Sequence, residues 1–403
     1  MFNLDLHSKE FSLNPFPTFE YLRNEKPVFW DETAKRWIIS RYQDVVDIFK
    51  NHELFTAEPY SRMTDVFGLT LAHMDGKDHD ARRSIVAPAM VGKSLENVLM
   101  PNVKSATHTL IEGIKGKSEV NVRHALAHSL PLKTMSRMLG LLDENEEFLS
   151  QVTGSVIRAL QGDEPYKTRG KEEHKKFAKV VMRLIAERKQ LPKDDLLTAL
   201  LNSSDGKGFY LSEEEICSFM TFLLIAGVET TELGLLNFWF RILQDQDLVT
   251  ELSRDEELLN GAFTEFMRID GPVAFEDRTL AQDYELHGVT MKAGEVVRVA
   301  MISANNDESI FAKPREFDPR RKDLVIEREH RSGGIQEGRA NHVGFGVGKH
   351  FCIGYLLARA EIVEITYQFL NMARVKLSSK QKEQIQMHWL WWNVDEVLVE
   401  LSH

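Results

Sequence analysis

Cysteine is scarce in this chain of 403 residues, acidic residues outnumber basic ones, and no long apolar run opens it. With Cys217 and Cys352 as its only cysteines, the chain cannot form a disulfide framework or a four-cysteine zinc site. Fifty basic against 61 acidic residues give a net charge of −11, which argues against general affinity for nucleic acid. The N-terminal MFNLDLHSKEF lacks both a signal-peptide pattern and the roughly 20 apolar residues of a membrane span. These absences predict a cytoplasmic protein that binds neither nucleic acid nor a membrane.

The chain also lacks internal repeats, low-complexity tracts and long linkers, which predicts one continuous domain over residues 1–403. Hydrophobic residues make up 43% and charged residues 28%, as in a globular protein with a large core. Apolar periodicity predicts helices at Pro15–Glu25 and Tyr42–Lys50 and a hairpin at Val28–Ser40. Several amphipathic helices should follow between about Asp78 and Leu201.

The longest predicted helix is Leu211–Leu243. Ser212 and Glu215 form a capping-box pattern at its start. The residues that follow are apolar on nearly every side for about four turns, so this helix should cross the core. Short strand-like runs at Thr279–Ala300 and in the C-terminal MHWLWWNVDEVLVEL add a minor amount of sheet. Because the predicted helices are far longer than the predicted strands, we expect a mainly α fold with small β-sheets.

The segment Phe345–Gly354, FGVGKHFCIG, carries the clearest chemical signal. Gly346, Gly348 and Gly354 flank Cys352, and glycine allows backbone N–H groups to turn toward a sulfur atom. The following YLLARAEIVEITYQFL has helical periodicity, which predicts a sulfur at a helix N-terminus, where negative charge is favoured. Both features should lower the pKa of the Cys352 thiol, as a metal-binding thiolate requires. An inert buried cysteine at a glycine-rich turn is the alternative.

The spacing F-G-x-G-x-H-x-C-x-G resembles the heme-binding loop of the cytochrome P450 family, and the similarity extends over essentially the whole chain. The resemblance implies the P450 fold, heme b as the cofactor, and Cys352 as the axial thiolate ligand of its iron. Phe345, Gly346 and Gly354 would complete the loop that binds the cofactor.

The sequence AGVETT at 226–231, inside the longest helix, is similar to the oxygen-activation motif of the same family. The resemblance implies that Gly227 leaves space for dioxygen and that Thr230 donates a hydrogen bond to it. Glu229 would relay protons from solvent, because cleavage of the O–O bond consumes protons. Taken alone, the segment allows another interpretation, in which Thr230 bonds back to its own helix and Glu229 faces solvent or a buried partner.

Four cations lie where the family places the groups that bind the heme propionates. His79 and Arg83 are four residues apart on one face of a predicted helix. Arg278 lies in a predicted strand, and His350 lies in the cysteine loop. Carboxylates taken partly out of water need such partners. Ordinary surface charge is the alternative for each, and Arg82 would replace Arg83 if the helix phase were different.

Of two other segments, one matches the family and the other departs from it. Glu265 and Arg268 match its buried E-x-x-R pair, for which the resemblance implies a structural role and a solvated surface pair is the alternative. Residues 321–344 form a charged connection longer than the family's usual one. We expect this connection to be a surface excursion near the cysteine loop, without an assigned function.

The resemblance implies a heme-thiolate monooxygenase that inserts one atom of dioxygen into a C–H bond of a small organic substrate. Hydroxylation and oxidative O-demethylation are both compatible with this chemistry. Electrons would come from a ferredoxin-type donor, its reductase and NAD(P)H, and four cations could receive that acidic donor: Arg82, Lys93, Lys349 and Arg359. A peroxide-driven peroxygenase and a non-catalytic heme-thiolate binding protein are the alternatives.

The substrate pocket of the family also maps onto this chain. Glu276 and Asp277 would make one wall polar, so we expect a small, partly polar substrate. Strand alternation should point Trp389 and Trp391 to the same face, where they could stack on the substrate or pack in the core. By family position, four segments would line the pocket: Glu58–His73, Phe222–Thr230, Val273–Asp277 and His388–Asn393.

Overall fold

The computed structural model describes residues 4–58, 61–161, 164–326, 331–388 and 390–402. Helices dominate this part of the chain, which confirms the predicted fold class. The helices are α1 (Lys9–Leu13), α2 (Phe16–Glu25), α3 (Tyr42–Lys50), α4 (Ser61–Phe67), α5 (Gly76–Val86), α6 (Gly92–Ser94), α7 (Met100–Glu112), α8 (Ser129–Met138), α9 (Glu146–Gln161), α10 (Tyr166–Gln190), α11 (Leu196–Asn202), α12 (Glu213–Ile242), α13 (Gln246–Leu252), α14 (Glu256–Ile269), α15 (Met301–Ala304) and α16 (Tyr355–Met372).

The strands are β1 (Val28–Asp31), β2 (Arg36–Ile39), β3 (Phe55–Thr56), β4 (Glu119–Asn121), β5 (Phe275–Leu280), β6 (Tyr284–Leu286), β7 (Val289–Met291), β8 (Val296–Ala300), β9 (Ile335–Gln336), β10 (Arg339–Ala340), β11 (Arg374–Leu377), β12 (Gln386–His388), β13 (Trp391–Asn393) and β14 (Leu398–Ser402). They form small sheets. The largest has the order β1-β2-β8-β5-β3, in which only β2 and β8 are parallel. β11, β14 and β4 form a second sheet, and the other described strands pair in twos.

The N-terminal elements follow the sequence closely. The predicted helices appear as α2 and α3, and the predicted hairpin appears as β1 paired antiparallel with β2. α3 is amphipathic and buries Val45, Val46 and Phe49 against the largest sheet. The predictions for this region are therefore confirmed, because local periodicity and one buried helix face were enough to specify it.

α12 is the long helix predicted to cross the core. Its cap is the expected one, because the N–H of Glu215 donates to the Ser212 hydroxyl at 3.2 Å. In return, the Ser212 N–H donates to the Glu215 carboxylate at 2.8 Å. Within the described residues, α12 alone is long and apolar enough to span a membrane. However, 72% of its most apolar window is buried inside the protein, as in the core helix of a globular protein.

The core consists of three apolar clusters, two of which include residues of α12. The first surrounds the C-terminal half of α12, the second surrounds its N-terminal half, and the third packs against the largest sheet. We call them the C-terminal core, the N-terminal core and the sheet core. Representative buried residues are Trp239, Phe263 and Phe369 for the C-terminal core, Phe177, Leu224 and Val228 for the N-terminal core, and Tyr42, Val299 and Phe311 for the sheet core.

The Glu265–Arg268 pair lies in α14 and is fully buried, as the resemblance implied. Two guanidinium nitrogens of Arg268 donate to the Glu265 carboxylate at 2.8 Å, and a third donates to the Asn305 carbonyl at 2.7 Å. Arg321 adds another donor to Glu265 at 3.0 Å. Removing one partner of a buried ion pair leaves an uncompensated charge, which is costly. This cluster therefore holds α14 against the segments that carry Asn305 and Arg321.

Candidate active site

A cavity of about 690 Å³ lies between α12, the cysteine loop and β5. Side chains of all three cores reach it, including Met267, Met135 and Phe49. All of the predicted site residues line this one cavity, namely His79, Arg83, Gly227, Glu229, Thr230, Arg278, Phe345, Gly346, His350, Cys352 and Gly354. The structure therefore brings together residues that the sequence spreads over almost 300 positions.

The cysteine loop, residues 345–354, bends tightly before α16. Gly346 and Gly348 have φ of +71° and +74°, a left-handed conformation that glycine adopts most readily. A Cβ on Gly348 would stand 3.0 Å from the Phe49 carbonyl oxygen, so this position also needs a small residue. The Cys352 N–H donates to the Phe345 carbonyl at 2.9 Å. These contacts place the Cys352 side chain directly before the N-terminus of α16, as predicted.

The expected direction of the Cys352 pKa is wrong for the protein without metal. Burial raises the pKa of the Cys352 thiol, although the Gly354 N–H and the charge of Arg83 both lower it. Desolvation of the anion is the larger effect here, because the sulfur lies deep in the protein. A metal ion bound to the sulfur removes this obstacle, since coordination deprotonates a thiol outright.

The four predicted propionate-binding residues gather at one part of the cavity wall. Arg83 donates to the Phe351 carbonyl at 2.6 Å, next to Cys352, and His350 bonds to the Asp75 carboxylate at 2.8 Å. The rings of His79 and His350 have centroids 4.5 Å apart. Arg278 is buried and donates to the Asp277 carbonyl at 2.7 Å.

The orientation of α5 points Arg83 and its neighbour Arg82 in different directions. Arg82 points to α12 and pairs with Glu215, whereas Arg83 reaches the cysteine loop. Burial lowers the pKa of His79 to about 4, with the charges of His350 and Arg83 adding to the effect. His79 is therefore a neutral hydrogen-bonding group at neutral pH, whereas Arg83 and Arg278 carry a permanent positive charge.

Two of the predicted positions on α12 have local packing roles. The Thr230 hydroxyl donates to the Ala226 carbonyl at 2.7 Å, which is the back-bonded arrangement considered from the sequence. A Cβ on Gly227 would stand 2.6 Å from the Met135 sulfur, so the glycine allows α8 to approach α12 closely. Both residues nevertheless line the cavity, and the Thr230 oxygen retains lone pairs and a rotatable proton for other partners.

Glu229 lies on the cavity wall in a strongly desolvating position. Burial raises its pKa, the nearby carboxylate of Glu232 raises it further, and Arg123, His128 and Arg158 oppose the shift. A carboxyl group with a raised pKa holds a proton closer to neutral pH than an ordinary glutamate does. It can therefore both store and release a proton beside the cavity.

Each of the four segments predicted to line the substrate pocket contributes described residues to this cavity. Trp391 lines it, whereas Trp392 turns into the core and donates to Asp270 at 3.0 Å. Trp389 lies outside the described residues. On the polar wall, Asp277 is paired with two arginines that also line the cavity, Arg36 of β2 and Arg298 of β8, which donate to it at 2.7 Å each.

The connection 321–344 reaches the cysteine loop. Arg331 donates to the Gly348 carbonyl at 2.9 Å, and the Gly348 N–H donates to the Arg331 carbonyl at 2.8 Å. The tip of its hairpin, at residues 335–338, is exposed. Nearby, Lys349 pairs with Asp80 at 3.0 Å. Arg359 donates to the Thr264 hydroxyl at 2.8 Å, and the Lys93 side chain lies outside the described part of the chain.

A buried acid that was not predicted, Glu361, also lines the cavity. It is 1% exposed on α16 and receives a hydrogen bond from Thr134 of α8. Burial raises the pKa of Glu361 to about 8, against which the Thr134 hydrogen bond acts only weakly. The sequence signal was available, because this glutamate occupies an apolar-face position of a strongly periodic helix. Its partner could not be predicted, since Thr134 is distant in sequence.

The chemistry of this cavity fits heme b. Cys352 offers a sulfur ligand for iron, and Arg83 and Arg278 with two histidines offer donors for two carboxylates. Aromatic and aliphatic side chains from the three cores supply the apolar walls that a macrocycle needs. A cysteine ligand, cationic partners for carboxylates and apolar walls in one cavity are typical of a heme-thiolate oxygenase.

The comparisons with known proteins lead to the same class. The cytochrome P450 family model matches residues 14–399, and the chain belongs to this family. Steroid C26-monooxygenase of Mycolicibacterium smegmatis is 29% identical, over 88% of this chain and 84% of that protein. Pulcherriminic acid synthase of Bacillus subtilis is 28% identical, over 91% and 90%. The crystal structure of CYP109E1 from Bacillus megaterium in complex with corticosterone superposes with a TM-score of 0.85, at 25% identity and coverage of 98% and 100%. The protein is a cytochrome P450 monooxygenase with heme b as its cofactor.

The raised pKa of Glu361 predicts how stability depends on pH. Between its ordinary pKa of 4.5 and about 8, the folded protein holds a proton on Glu361 that the unfolded chain has lost. Stability due to this group must therefore fall as the pH rises through that window. We expect Glu361→Gln, which keeps the shape and cannot ionise, to flatten this dependence and to gain a few kcal/mol relative to the wild type at pH 8. Urea unfolding of both proteins at pH 5 and pH 8 measures the free energy of unfolding at each pH. If that free energy changed equally between the two pH values in the wild type and in Glu361→Gln, the prediction would be wrong.

Proposed function

We propose that this P450 inserts one atom of dioxygen into a C–H bond of a small organic substrate, by hydroxylation or oxidative O-demethylation. In this proposal the protein works in the cytoplasm, and a ferredoxin and its reductase deliver electrons from NAD(P)H. Support comes from membership of the family and from a cavity whose walls carry both a cysteine sulfur and an acid–alcohol pair. That shared cavity is the single observation on which the proposal rests.

Each site residue then has a defined task. Cys352 binds the iron, and Phe345, Gly346 and Gly354 shape the loop around it. His79, Arg83, Arg278 and His350 bind the two propionates. When bound, the heme supplies dioxygen activation and oxygen transfer to carbon, chemistry that no side chain can perform.

The protein's own contribution to this chemistry is the delivery of protons by side chains of α12 that line the cavity. Thr230 lies on the cavity wall and would turn its hydroxyl from Ala226 toward dioxygen, for which Gly227 leaves space. Glu229, with its raised pKa, holds the proton that Thr230 passes on. Apolar walls keep bulk water away, so protons arrive through these groups rather than by flooding of the site.

The alternatives differ in what they require of α12. A peroxide-driven enzyme needs no proton relay from an acid–alcohol pair, yet Glu229 and Thr230 both line the cavity. A heme-binding protein without catalysis would be expected to place a second ligand above the iron, and Ala226-Gly227 offers none. Comparing turnover with hydrogen peroxide alone and with NAD(P)H, ferredoxin and reductase separates the first alternative from the proposal.

The substrate should be small and carry at least one polar group. The cavity of about 690 Å³ must hold the heme as well, which limits the remaining volume. Phe222, Leu223 and Leu390 provide apolar contacts, and Glu276 provides a polar one. We therefore expect small hydroxylated or methoxylated aromatic compounds to shift the ferric iron from low to high spin. Corticosterone, the ligand of the similar CYP109E1 structure, is the comparison compound, and a shift by steroids alone would contradict the expectation.

Ligation by Cys352 is testable by one substitution. Cys352→Ser should abolish the red-shifted Soret band that the reduced, carbon monoxide-bound protein gives with a thiolate ligand. Cys217→Ser is the matched control, because burial raises the pKa of Cys217 to about 11 and keeps it a neutral thiol. This control should retain the band. A Cys352→Ser protein that kept the band would overturn the assignment.

The role of Thr230 predicts a change in the products of oxygen reduction. Thr230→Ala should raise the fraction of NAD(P)H electrons lost as hydrogen peroxide several-fold, because the hydroxyl that would pass on the proton from Glu229 is gone. Heme content and the carbon monoxide spectrum should not change. Thr230→Ser keeps the hydroxyl and should behave like the wild type. Identical peroxide yields in all three proteins would refute the role.

A further inference from the structure

A second acid, Glu232, lies one turn beyond Glu229 on α12. It is only 2% exposed, although the surrounding helix is apolar on almost every side. Residues three apart share a helix face and have Cβ atoms about 5–6 Å apart, so Glu232 is a close neighbour of Glu229. The raised pKa of Glu229 reflects this proximity. The reaction described above gives Glu232 no task.

Both carboxylate oxygens of Glu232 have partners on the side away from the cavity. Arg123 donates to one oxygen at 2.7 Å, and Nδ1 of His128 lies 2.7 Å from the other. The second ring nitrogen of His128, Nε2, lies 2.8 Å from the Ser150 hydroxyl on α9. The His128 side chain is 28% exposed and that of Glu232 is 3% exposed. A continuous set of hydrogen bonds therefore leads from the protein surface to Glu232.

We propose that Ser150, His128 and Glu232 conduct protons from solvent to Glu229. The inference rests on the function proposed for Glu229 and Thr230 and adds the source of their protons. These three residues do not touch the reacting atoms, and they act as positioning residues for the supply to Glu229.

The proton balance of this path closes without an additional reactant. As the imidazolium, His128 gives its Nδ1 proton to the Glu232 carboxylate and keeps the proton on Nε2. The ring then turns over so that Nε2–H faces Glu232, and the other nitrogen accepts a proton from the Ser150 hydroxyl, whose own proton is replaced from water. This restores the imidazolium. From Glu232 the proton passes one helical turn to Glu229, directly or through one water molecule. No electron moves, and the net result is one proton taken from solvent.

The charges around the path suit this task. The hydrogen bond to Glu232 raises the pKa of His128, which keeps the imidazole available as a proton donor around neutral pH. The other charged groups that face the pair are Arg123, Arg158 and Asp395, the last of which lies 3.8 Å from Arg123. His128 adds to this contact a titratable group that Ser150 links to the surface, as a conducting path requires.

The test uses the heme-loaded enzyme with dioxygen as its only substrate. The rate of NAD(P)H oxidation with a surrogate ferredoxin and reductase is measured across pH 6–9, in H₂O and in D₂O. The wild-type rate should fall as the pH rises through the pKa of His128. His128→Gln should be slower by about tenfold or more, should lose this pH dependence and should show a larger solvent isotope effect. His124→Gln, an exposed histidine in the turn 123–127 that precedes His128, is the matched control and should match the wild type.

Two further variants keep the outcome unambiguous. Ser150→Ala should slow the rate in the same direction, and its combination with His128→Gln should be no slower than His128→Gln alone. If His128→Gln kept the wild-type rate and pH profile while Glu229→Gln was slower, the path would be refuted and the proposed function would stand. If Glu229→Gln also matched the wild type, the proposed function itself would fail. Melting temperatures and carbon monoxide spectra confirm that each variant is folded and loaded.

Discussion

The passage of α12 through the middle of the protein is the constraint on which the rest of the structure depends. A helix that is apolar on nearly every side can be buried at no polar cost, but each polar residue on it then needs a partner or a cavity. Thr230 uses the Ala226 carbonyl, Glu232 uses Arg123 and His128, and Glu229 faces the cavity. The polar interruptions of this helix therefore mark where the cavity must lie and where solvent can reach it.

The cysteine loop differs from α12, because other parts of the chain hold it in place rather than the helix that follows it. Gly348 packs against the Phe49 backbone and exchanges two hydrogen bonds with Arg331, and Arg83 bonds to the Phe351 carbonyl. Three segments, around residues 49, 83 and 331, fix one sulfur atom. A rigid loop of this kind meets the geometric demand of a metal ligand, whose position must be set before the metal arrives.

Much of this arrangement could be predicted from the sequence. The approximate bounds of α2, α3 and α12, the cap at Ser212 and the residues of the cysteine loop follow from local periodicity and glycine placement. The family resemblance supplied the grouping of the site. Three features could not be predicted, because each depends on long-range packing. The pKa of Cys352 rises since desolvation outweighs one N–H donor, Asp277 is neutralised by Arg36 and Arg298, and Glu361 meets Thr134 on another helix. Sequence patterns indicate which residues are buried, and the structure shows which of them meet.

The meeting of the three cores at one cavity has a thermodynamic consequence. A molecule that fills this space contacts the C-terminal, N-terminal and sheet cores at once, and it binds the native state in preference to the unfolded chain. Its binding energy is then shared among the three cores, and the loss of any one of these contacts weakens the hold on the molecule that the other two also contact. Cofactor loading thereby stabilises all three cores at once.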